Sequence, residues 1–501
     1  MKAILSKPVA AWAVRRQKRW VAKPVETQQQ VLQQLLHQAK KTQFGQEHQL
    51  KAVQTYEDFK TQVPIRNYEQ LAPYIDQIKA GAHHVLWPGR PLYWAKTSGT
   101  TLGSKHIPIT QDSLPYHTAT ARQALFNYIY ETGKTDFLKG SMIFLSGSPQ
   151  LAVEGGIPTG RLSGIVNHHV PSYLKGHQLP SYATNCIEDW KEKLTAIVEE
   201  TLEAPMTLIS GIPPWIQDYL DRLQQRTGKL IKDIFPHFSL LVHGGVNFAP
   251  YRTKLFDTIG QPIDTIETYP ASEGFIAFQD LQHAEGLLLQ LNSGMFFEFI
   301  PISEYATEKP TRHWIQDVEV GVDYALVLSS NAGLWAYDLG DTVRFVSKNP
   351  YRIVVTGRVK HFTSAFGEHV IAEEVDHAMQ YALGQHPETV IAEFTVAPKV
   401  SQQADEVSCH EWLIEFVHPP KEMARFAQAL DQAMCRQNVY YQDLIRGKTL
   451  HPLQITLLPQ GTFQQYMHQQ GKLGGQNKVV RLKNDRTVAS ALLSTANAAL
   501  P

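Results

Sequence analysis

Cysteine is nearly absent: Cys186, Cys409 and Cys435 are the whole supply in 501 residues. They are odd in number, far apart and without a C-x-x-C pair, which argues against a disulfide framework or a zinc knuckle and leads us to expect a reducing, cytoplasmic setting. Net charge is missing too. Lysine plus arginine and aspartate plus glutamate both count 47, so the overall balance offers nothing to a polyanion and no nucleic acid partner is expected. No window approaches the roughly 18 apolar residues that a membrane span needs, so membrane insertion is not expected either. The short run PVAAWAV near the start precedes Arg15, Arg16, Lys18 and Arg19, the reverse of a signal peptide's charge order. A helix with a solvated basic face is the plainer reading. Internal repeats and low-complexity linkers are lacking, and neither G-x-S-x-G nor H-E-x-x-H occurs, so nothing points to a serine or zinc hydrolase.

What is there suits an enzyme-sized chain with room for two or more domains. Val31, Leu32, Leu35, Leu36 and Ala39 recur at helical spacing, with Gly45 as the expected stop. Short apolar runs then alternate with longer amphipathic segments: SMIFLSG, MTLISG leading through Pro213 and Pro214 into WIQDYLDRLQQR, FSLLVHGG, and TIETYPASEG. Strand, glycine loop and helix in succession is the α/β pattern, whose ligands gather at the carboxyl ends of strands. From about Asp323, YALVLSSNAGLWAYDLGDTVRFV reads as two β segments about a turn at Asn331 to Gly333. After RIVVTGRVKHF come a helix (EHVIAEEVDHAMQYAL), the strands TVIAEFTV and HEWLIEFVH, and a second helix whose Phe426, Leu430, Ala433 and Met434 share a face. The expected fold class is α/β: a large N-terminal domain with sheets flanked by helices, residues 1–358, and a smaller C-terminal α+β domain, residues 359–501.

The stretch AKTSGTTLGSKHIPIT (95–110) sets glycines, hydroxyl residues and two lysines ahead of an alternating apolar segment. Such a turn can aim backbone N–H groups and small hydroxyls at an anion, phosphate first. The Walker pattern does not fit, because only three residues separate Gly99 from Gly103, and an ordinary Gly/Ser/Thr turn has the same composition. Three more stretches follow: HGGVNFAPY (243–251), ETYPASEG (267–274) and YDLGDTVRF (337–345), with GRVKHF (357–362) at the domain boundary. Pro270 restricts Tyr269 to extended backbone, where its ring can stack on a purine or pack on the core edge. Glu273 belongs beside phosphates only if a cation intervenes, and Mg²⁺ accepts one or two carboxylates plus phosphate oxygens; a solvated charge is the alternative. Asp341 can accept two hydrogen bonds from a ribose or simply close a turn. Lys472 and Lys478 lie in the glycine-rich GKLGGQNKVVRL, from which either can swing onto a phosphate. His168 and His169 can touch a substrate carboxylate, or simply pack or stay solvated.

In this order the elements resemble those of the adenylate-forming superfamily: phosphate loop, adenine loop, Tyr…Glu loop, ribose aspartate, hinge, C-terminal lysine. More narrowly, TSGTTLGSK, TYPASE and YDLGD resemble the nucleotide motifs of the Gretchen Hagen, or auxin-responsive promoter, family of acyl acid amido synthetases. The likeness extends through FGQEH, VPIRNYEQLAPYI, LWPG, GMFFEFIP, HEWLIEF and GTFQQYMHQQGKLGGQNKVVRL, segments that set the chain apart from acyl-CoA ligases. It implies the adenylate-forming fold with mixed sheets and a C-terminal lid domain hinged near Arg358 to Lys360. It also implies a two-step ligase reaction, in which a carboxylic acid and ATP give an acyl-adenylate and pyrophosphate, and an amine, commonly an amino acid, then displaces AMP. ATP and Mg²⁺ are the implied cofactors, and a monomer is expected. Residue by residue, the resemblance assigns Ser98, Gly99, Thr100 and Thr101 to phosphates, Gly245, Val246 and Tyr269 to adenine, Glu273 to the metal and Asp341 to the ribose. Thr268, Ser272 and Arg358 complete the nucleotide contacts, and Lys478, Thr100 and Glu273 carry the catalysis, with Lys478 the mobile lysine. Asp338 departs from the arginine usual in plant members, and Pro270 and Ala271 replace the small residues of the second motif. Acyl transfer to a thiol such as coenzyme A, or a catalytically silent nucleotide-binding regulator, are the alternatives.

Overall fold

The computed structural model describes residues 2–100, 103–170, 176–245, 248–305, 307–359, 362–363, 370–399, 408–446, 450–472, 478–483 and 485–498. It divides into two compact units, residues 1–246 with 255–354, and residues 247–254 with 355–501.

In chain order the strands of the first unit are β1 (Tyr93–Thr100), β2 (Gly103–Ile109), β3 (Ser141–Phe144), β4 (Ala152–Glu154), β5 (Ile157–Gly160), β6 (Gln178–Leu179), β7 (Met206–Gly211), β8 (Leu240–Gly244), β9 (Asp264–Ala271), β10 (Gly274–Phe278), β11 (Leu287–Leu289), β12 (Met295–Pro301), β13 (His313–Trp314), β14 (Asp323–Ser330), β15 (Tyr337–Lys348) and β16 (Tyr351–Arg358). Twelve form one sheet in the order β13-β12-β14-β15-β16-β11-β10-β9-β8-β7-β3-β6, and β2-β1-β5-β4 form another. Within the large sheet β6, β3, β7, β8 and β9 run parallel, so their carboxyl ends share one edge. The pairs from β9 to β11 and from β12 to β15 are antiparallel, which makes the sheet mixed. Parallel neighbours require crossovers. The helix Pro213–Thr227 supplies one between β7 and β8; it opens on the prolines that fix its first turn and ends at Gly228, φ +68°.

Met142, Leu208, Leu240, Ile266 and Phe278 pack beneath this sheet with Tyr128 and Ile129 from the helix Leu114–Thr132. Burying each large apolar side chain contributes about 1.5–3 kcal/mol. Helix Pro24–Ala39 buries the expected face, Val31, Leu32, Leu35, Leu36 and Ala39. Its buried Gln28 donates to the carbonyls of Leu291 and Met295 and accepts from Phe297 N, so an amide in the core is satisfied by backbone 263 to 269 residues away. Gly45 is not the stop that the sequence suggests. The helix ends at Ala39, and Gly45 sits in the short helix Gln43–Glu47, where a Cβ would fall 2.1 Å from Ala39 O. Its smallness serves a close approach rather than a cap.

The second unit holds β17 (Phe362–Thr363), β18 (Val370–Ile371), β19 (Val390–Lys399), β20 (Cys409–His418) and β21 (His451–Leu458), with β19-β20-β21 as its sheet. Helices Ala372–Gln385 and Met423–Gln437 cover it, and Val375, Met379, Phe394, Trp412, Phe426 and Leu430 form the α+β core. The first helix starts later than its pattern suggests. The β-branched pair Val370–Ile371 is drawn into a strand against Phe362–Thr363, and the Glu374 carboxylate accepts the Ile371 N–H at 3.0 Å. Helices Val439–Arg446, Thr462–Gln469 and Thr487–Ala498 also belong to the unit.

Candidate active site

The opening glycine- and hydroxyl-rich stretch is mostly strand. β1 and β2 pair antiparallel with Thr97 opposite Lys105 and Thr100 opposite Gly103, so Ser98, Gly99 and Thr100 lie at the end of an extended hairpin. Thr101 falls outside the described residues. From β2, Lys105 Nζ donates to the Tyr337 hydroxyl at 3.2 Å and lies 5.7 and 5.8 Å from the rings of Tyr68 and Tyr337. The first motif is thereby fastened to the fourth. Burial pushes the Tyr337 phenol well up, and the charges of Glu273 and Asp338 push it further, so Lys105 faces a neutral hydroxyl among carboxylates.

β8 and β9 deliver the middle motifs to the shared carboxyl edge. Gly244 opposes Thr268, and a Cβ there would meet Thr268 O at 2.2 Å; Gly245 follows with φ +83°, the left-handed region that glycine enters without strain. Val246 lies outside the described residues. Thr268 Oγ1 donates to His243 O at 3.0 Å, which ties the strand ends together. β9 turns back into β10 through Ser272 and Glu273 alone, with Ala271 paired to Gly274. Both turn residues are 8% exposed, so Glu273 is a buried carboxylate rather than a solvated loop charge. Tyr269 is likewise buried, and its hydroxyl donates to Asp341 Oδ2 at 2.6 Å.

Asp341 is presented by a bulge. Between the pairs Ala325–Thr342 and Val327–Asp338, β15 carries two more residues than β14, and Gly340 takes φ +78°. Asp338 holds this bulge: its Oδ1 accepts Gly340 N at 2.9 Å and its Oδ2 the Tyr305 hydroxyl at 2.5 Å. Asp338 thus shapes the backbone that carries Asp341.

Lys478 belongs to the second unit, and β16 crosses from the first unit into it after Val354, which puts Arg358 in the second as well. Arg358 ends β16, and its side chain is outside the described set; Lys478 is exposed and belongs to the stretch KVVRLK. That segment docks on β19, where Val396 N donates to Arg481 O at 3.0 Å and Thr395 Oγ1 to Val480 O at 2.6 Å. Lys105 and Tyr337 are the site residues that reading the sequence passed over, although both are end letters of the quoted motifs.

Two expectations follow. Tyr269→Phe removes a buried hydrogen bond to a charged group and is expected to cost about 1.5–3 kcal/mol in urea unfolding. A loss below about 0.5 kcal/mol would mean that the hydroxyl does not tether Asp341. Glu267, in the same motif, is pushed up by burial from 4.5 to about 6. Below pH 4.5 it is neutral both folded and unfolded; as pH rises the unfolded chain ionises first, so stability falls through pH 6 by about 2 kcal/mol in total. Glu267→Gln should therefore melt higher than wild type at pH 8 and level with it near pH 4; an equal gap at both pH values would contradict the burial argument.

Among the described residues no group of three or more histidine, cysteine or acidic side chains is placed to hold a metal, and no helix is long and apolar enough to cross a membrane. Comparison with known proteins gives consistent matches. The GH3 family N-terminal domain matches residues 13–179, its central domain 288–358 and its C-terminal domain 373–487. The indole-3-acetic acid-amido synthetase GH3.3 of Arabidopsis thaliana is 22% identical over 529 residues, covering 88% of this chain and 86% of that protein. The solved GH3.15 acyl acid amido synthetase in complex with 2,4-DB superposes with a TM-score of 0.79 at 16% identity, over 97% of this chain and 96% of its own. A 2-hydroxyisobutyryl-CoA ligase in the postadenylation state reaches 0.59 at 13% identity, over 94% and 92%. The fold is that of the adenylate-forming enzymes, and the chain belongs to the GH3 family.

Proposed function

We propose that the chain is an ATP-dependent acyl acid amido synthetase, with nucleotide and acid held by the larger domain, residues 1–358, and a lid formed by residues 359–501. The observation that carries this reading is the 2.6 Å hydrogen bond from Tyr269 to Asp341, which joins two distant motifs at a sheet edge of the kind where ligands bind.

The chemistry accounts for the residue types. Two like charges about 4 Å apart repel by roughly 1 kcal/mol in water and about 4 kcal/mol at the effective dielectric of a protein surface. A carboxylate approaching a triphosphate meets several such charges, so the site must bring positive charge and N–H donors. In the first step a carboxylate oxygen bonds to the α-phosphorus of ATP and the bond to pyrophosphate breaks. In the second the amine nitrogen attacks the acyl carbon, AMP departs with the C–O electron pair, and the nitrogen loses a proton. We assign Ser98, Gly99, Thr100 and Thr101 to the phosphates, Gly245, Val246, Thr268, Tyr269 and Ser272 to the base, Asp341 to the ribose hydroxyls, and Arg358 and Lys478 to the remaining nucleotide contacts. Glu273, buried and without a cluster of further ligands among the described residues, suits a cation that takes its other ligands from phosphate and water, which is the habit of Mg²⁺. When bound, Mg²⁺ neutralises phosphate charge. We place the protein in the cytoplasm as a monomer.

Product analysis tests this. With ATP, a panel of carboxylic acids and either amino acids or coenzyme A, amide and AMP are expected; faster thioester formation, or no AMP with any acid, would overturn it.

A further inference from the structure

The loop after β3 holds two basic side chains that the reaction scheme above does not use. Lys193, on the helix Trp190–Thr201, is 2% exposed, and its Nζ donates to Ser146 O at 2.9 Å and Asn185 O at 2.7 Å. Both partners are neutral carbonyls. Arg161 lies across the next residue of the same loop: a Cβ on Gly147 would stand 2.6 Å from Arg161 Cδ and 3.4 Å from its Nη1, so only glycine leaves the guanidinium this seat. Among the described residues no carboxylate answers either cation. Burial alone lowers Arg161, while burial followed by the charge of Arg161 lowers Lys193 to about 8, with only the Cys186 thiol acting the other way.

A buried Lys193 beside a half-buried Arg161, with no counter-charge, is costly to hold, and such cations are normally paired. Their place indicates what pairs them. Leu145 N donates to Ser210 O as β3 ends, at the edge where β8 and β9 deliver Gly245 and Tyr269. β3 is two strands from β8 in the sheet order, about 10 Å at the usual strand spacing. An anion there lies one small molecule's length from the nucleotide residues.

We propose that Arg161 and Lys193 seat a substrate carboxylate that does not react, either the distal carboxylate of a dicarboxylic acyl acid or the α-carboxylate of the amino acid acceptor. This rests on the amido synthetase reading and narrows its substrate class. The test uses the full chain and substrates differing by one carboxylate. Pyrophosphate exchange is measured with hexanoate against adipate and benzoate against terephthalate, and amide formation with glycine against glycinamide. The wild type is expected to favour the carboxylate-bearing member by at least about tenfold in KM. Preference in the acid pairs locates the seat on the acyl acid, and preference in the glycine pair locates it on the amine. Arg161→Gln should abolish the preference and Arg161→Lys restore part of it. Lys193→Met, which removes a buried charge while keeping the side chain's bulk, carries the test if Arg161→Gln unfolds. No preference in any pair, or preference that survives both Arg161→Gln and Lys193→Met, overturns the seat while leaving the amido synthetase reading intact. Failure of every acid to support exchange in the wild type overturns both.

Discussion

Lys478→Ala is expected to slow acid-dependent pyrophosphate exchange by about 10²–10³-fold, the usual cost of losing one preorganised donor to developing charge, with little change in ATP affinity. The two readouts should separate because a lysine that meets the α-phosphate only as the acid attacks contributes little to the ground state. Lys472 is the internal control. It is exposed, as Lys478 is, and lies in the same glycine-rich run, but eight residues rather than two before Val480, whose carbonyl accepts from Thr395 on β19. Lys472→Ala should therefore exchange at close to the wild-type rate. If Lys472→Ala carries the loss and Lys478→Ala does not, the roles of the two lysines are reversed.

Arg481→Met is expected to destabilise the second unit by about 3–5 kcal/mol. Arg481 Nε lies 3.0 Å from Asp376 and Nη1 2.6 Å from Glu393; Nη1 also donates to Phe394 O, and the guanidinium rests 3.9 Å from the Phe394 ring centroid. Tyr251, from residues 247–254 of the same unit, donates to Glu393 at 2.8 Å. Burial opposes the Arg481 charge, but the two carboxylates outweigh it and hold the group above its ordinary range. Methionine would take this cation away from both buried carboxylates. Amide hydrogen exchange of β19 and β20 in urea measures the cost, and Glu393→Gln in the Arg481→Met background should recover part of it. Because Arg481 stands three residues after Lys478, the same variant should slow exchange as well. A loss below about 1 kcal/mol would show that the cluster is not needed to hold this segment.

How much of this was legible beforehand depended on whether the physics was local. Strand–loop–helix alternation around MTLISG and WIQDYLDRLQQR announces itself because a proline-led helix start and a short apolar strand are properties of neighbouring residues. Gly45 misled for the opposite reason: its smallness answers a carbonyl six residues back across a turn, which no helix-stop rule encodes. Val370 and Ile371 carried a helical pattern but were taken by a strand partner. Within the site, Asp341 and Glu273 were visible as motif letters, whereas the Tyr269–Asp341 bond and the reach of Lys105 to Tyr337 join residues 72 and 232 positions apart. Pairings of that range follow from sheet order, and sequence spacing says nothing about them. Asp338 is legible only as a departure from the resembled motif, because the hydrogen bond by which its carboxylate caps the bulge that presents Asp341 is a property of the folded strand.

The most direct measurement is ATP–pyrophosphate exchange with the full chain, Mg²⁺ and a broad panel of carboxylic acids, with wild type and Asp341→Ala side by side. Label should return to ATP only when an acid is present, and Asp341→Ala should demand far more ATP to reach the same rate. Exchange that ignores the acid, or an Asp341→Ala variant with the wild-type ATP requirement, would contradict the placement of ATP at the ends of these strands.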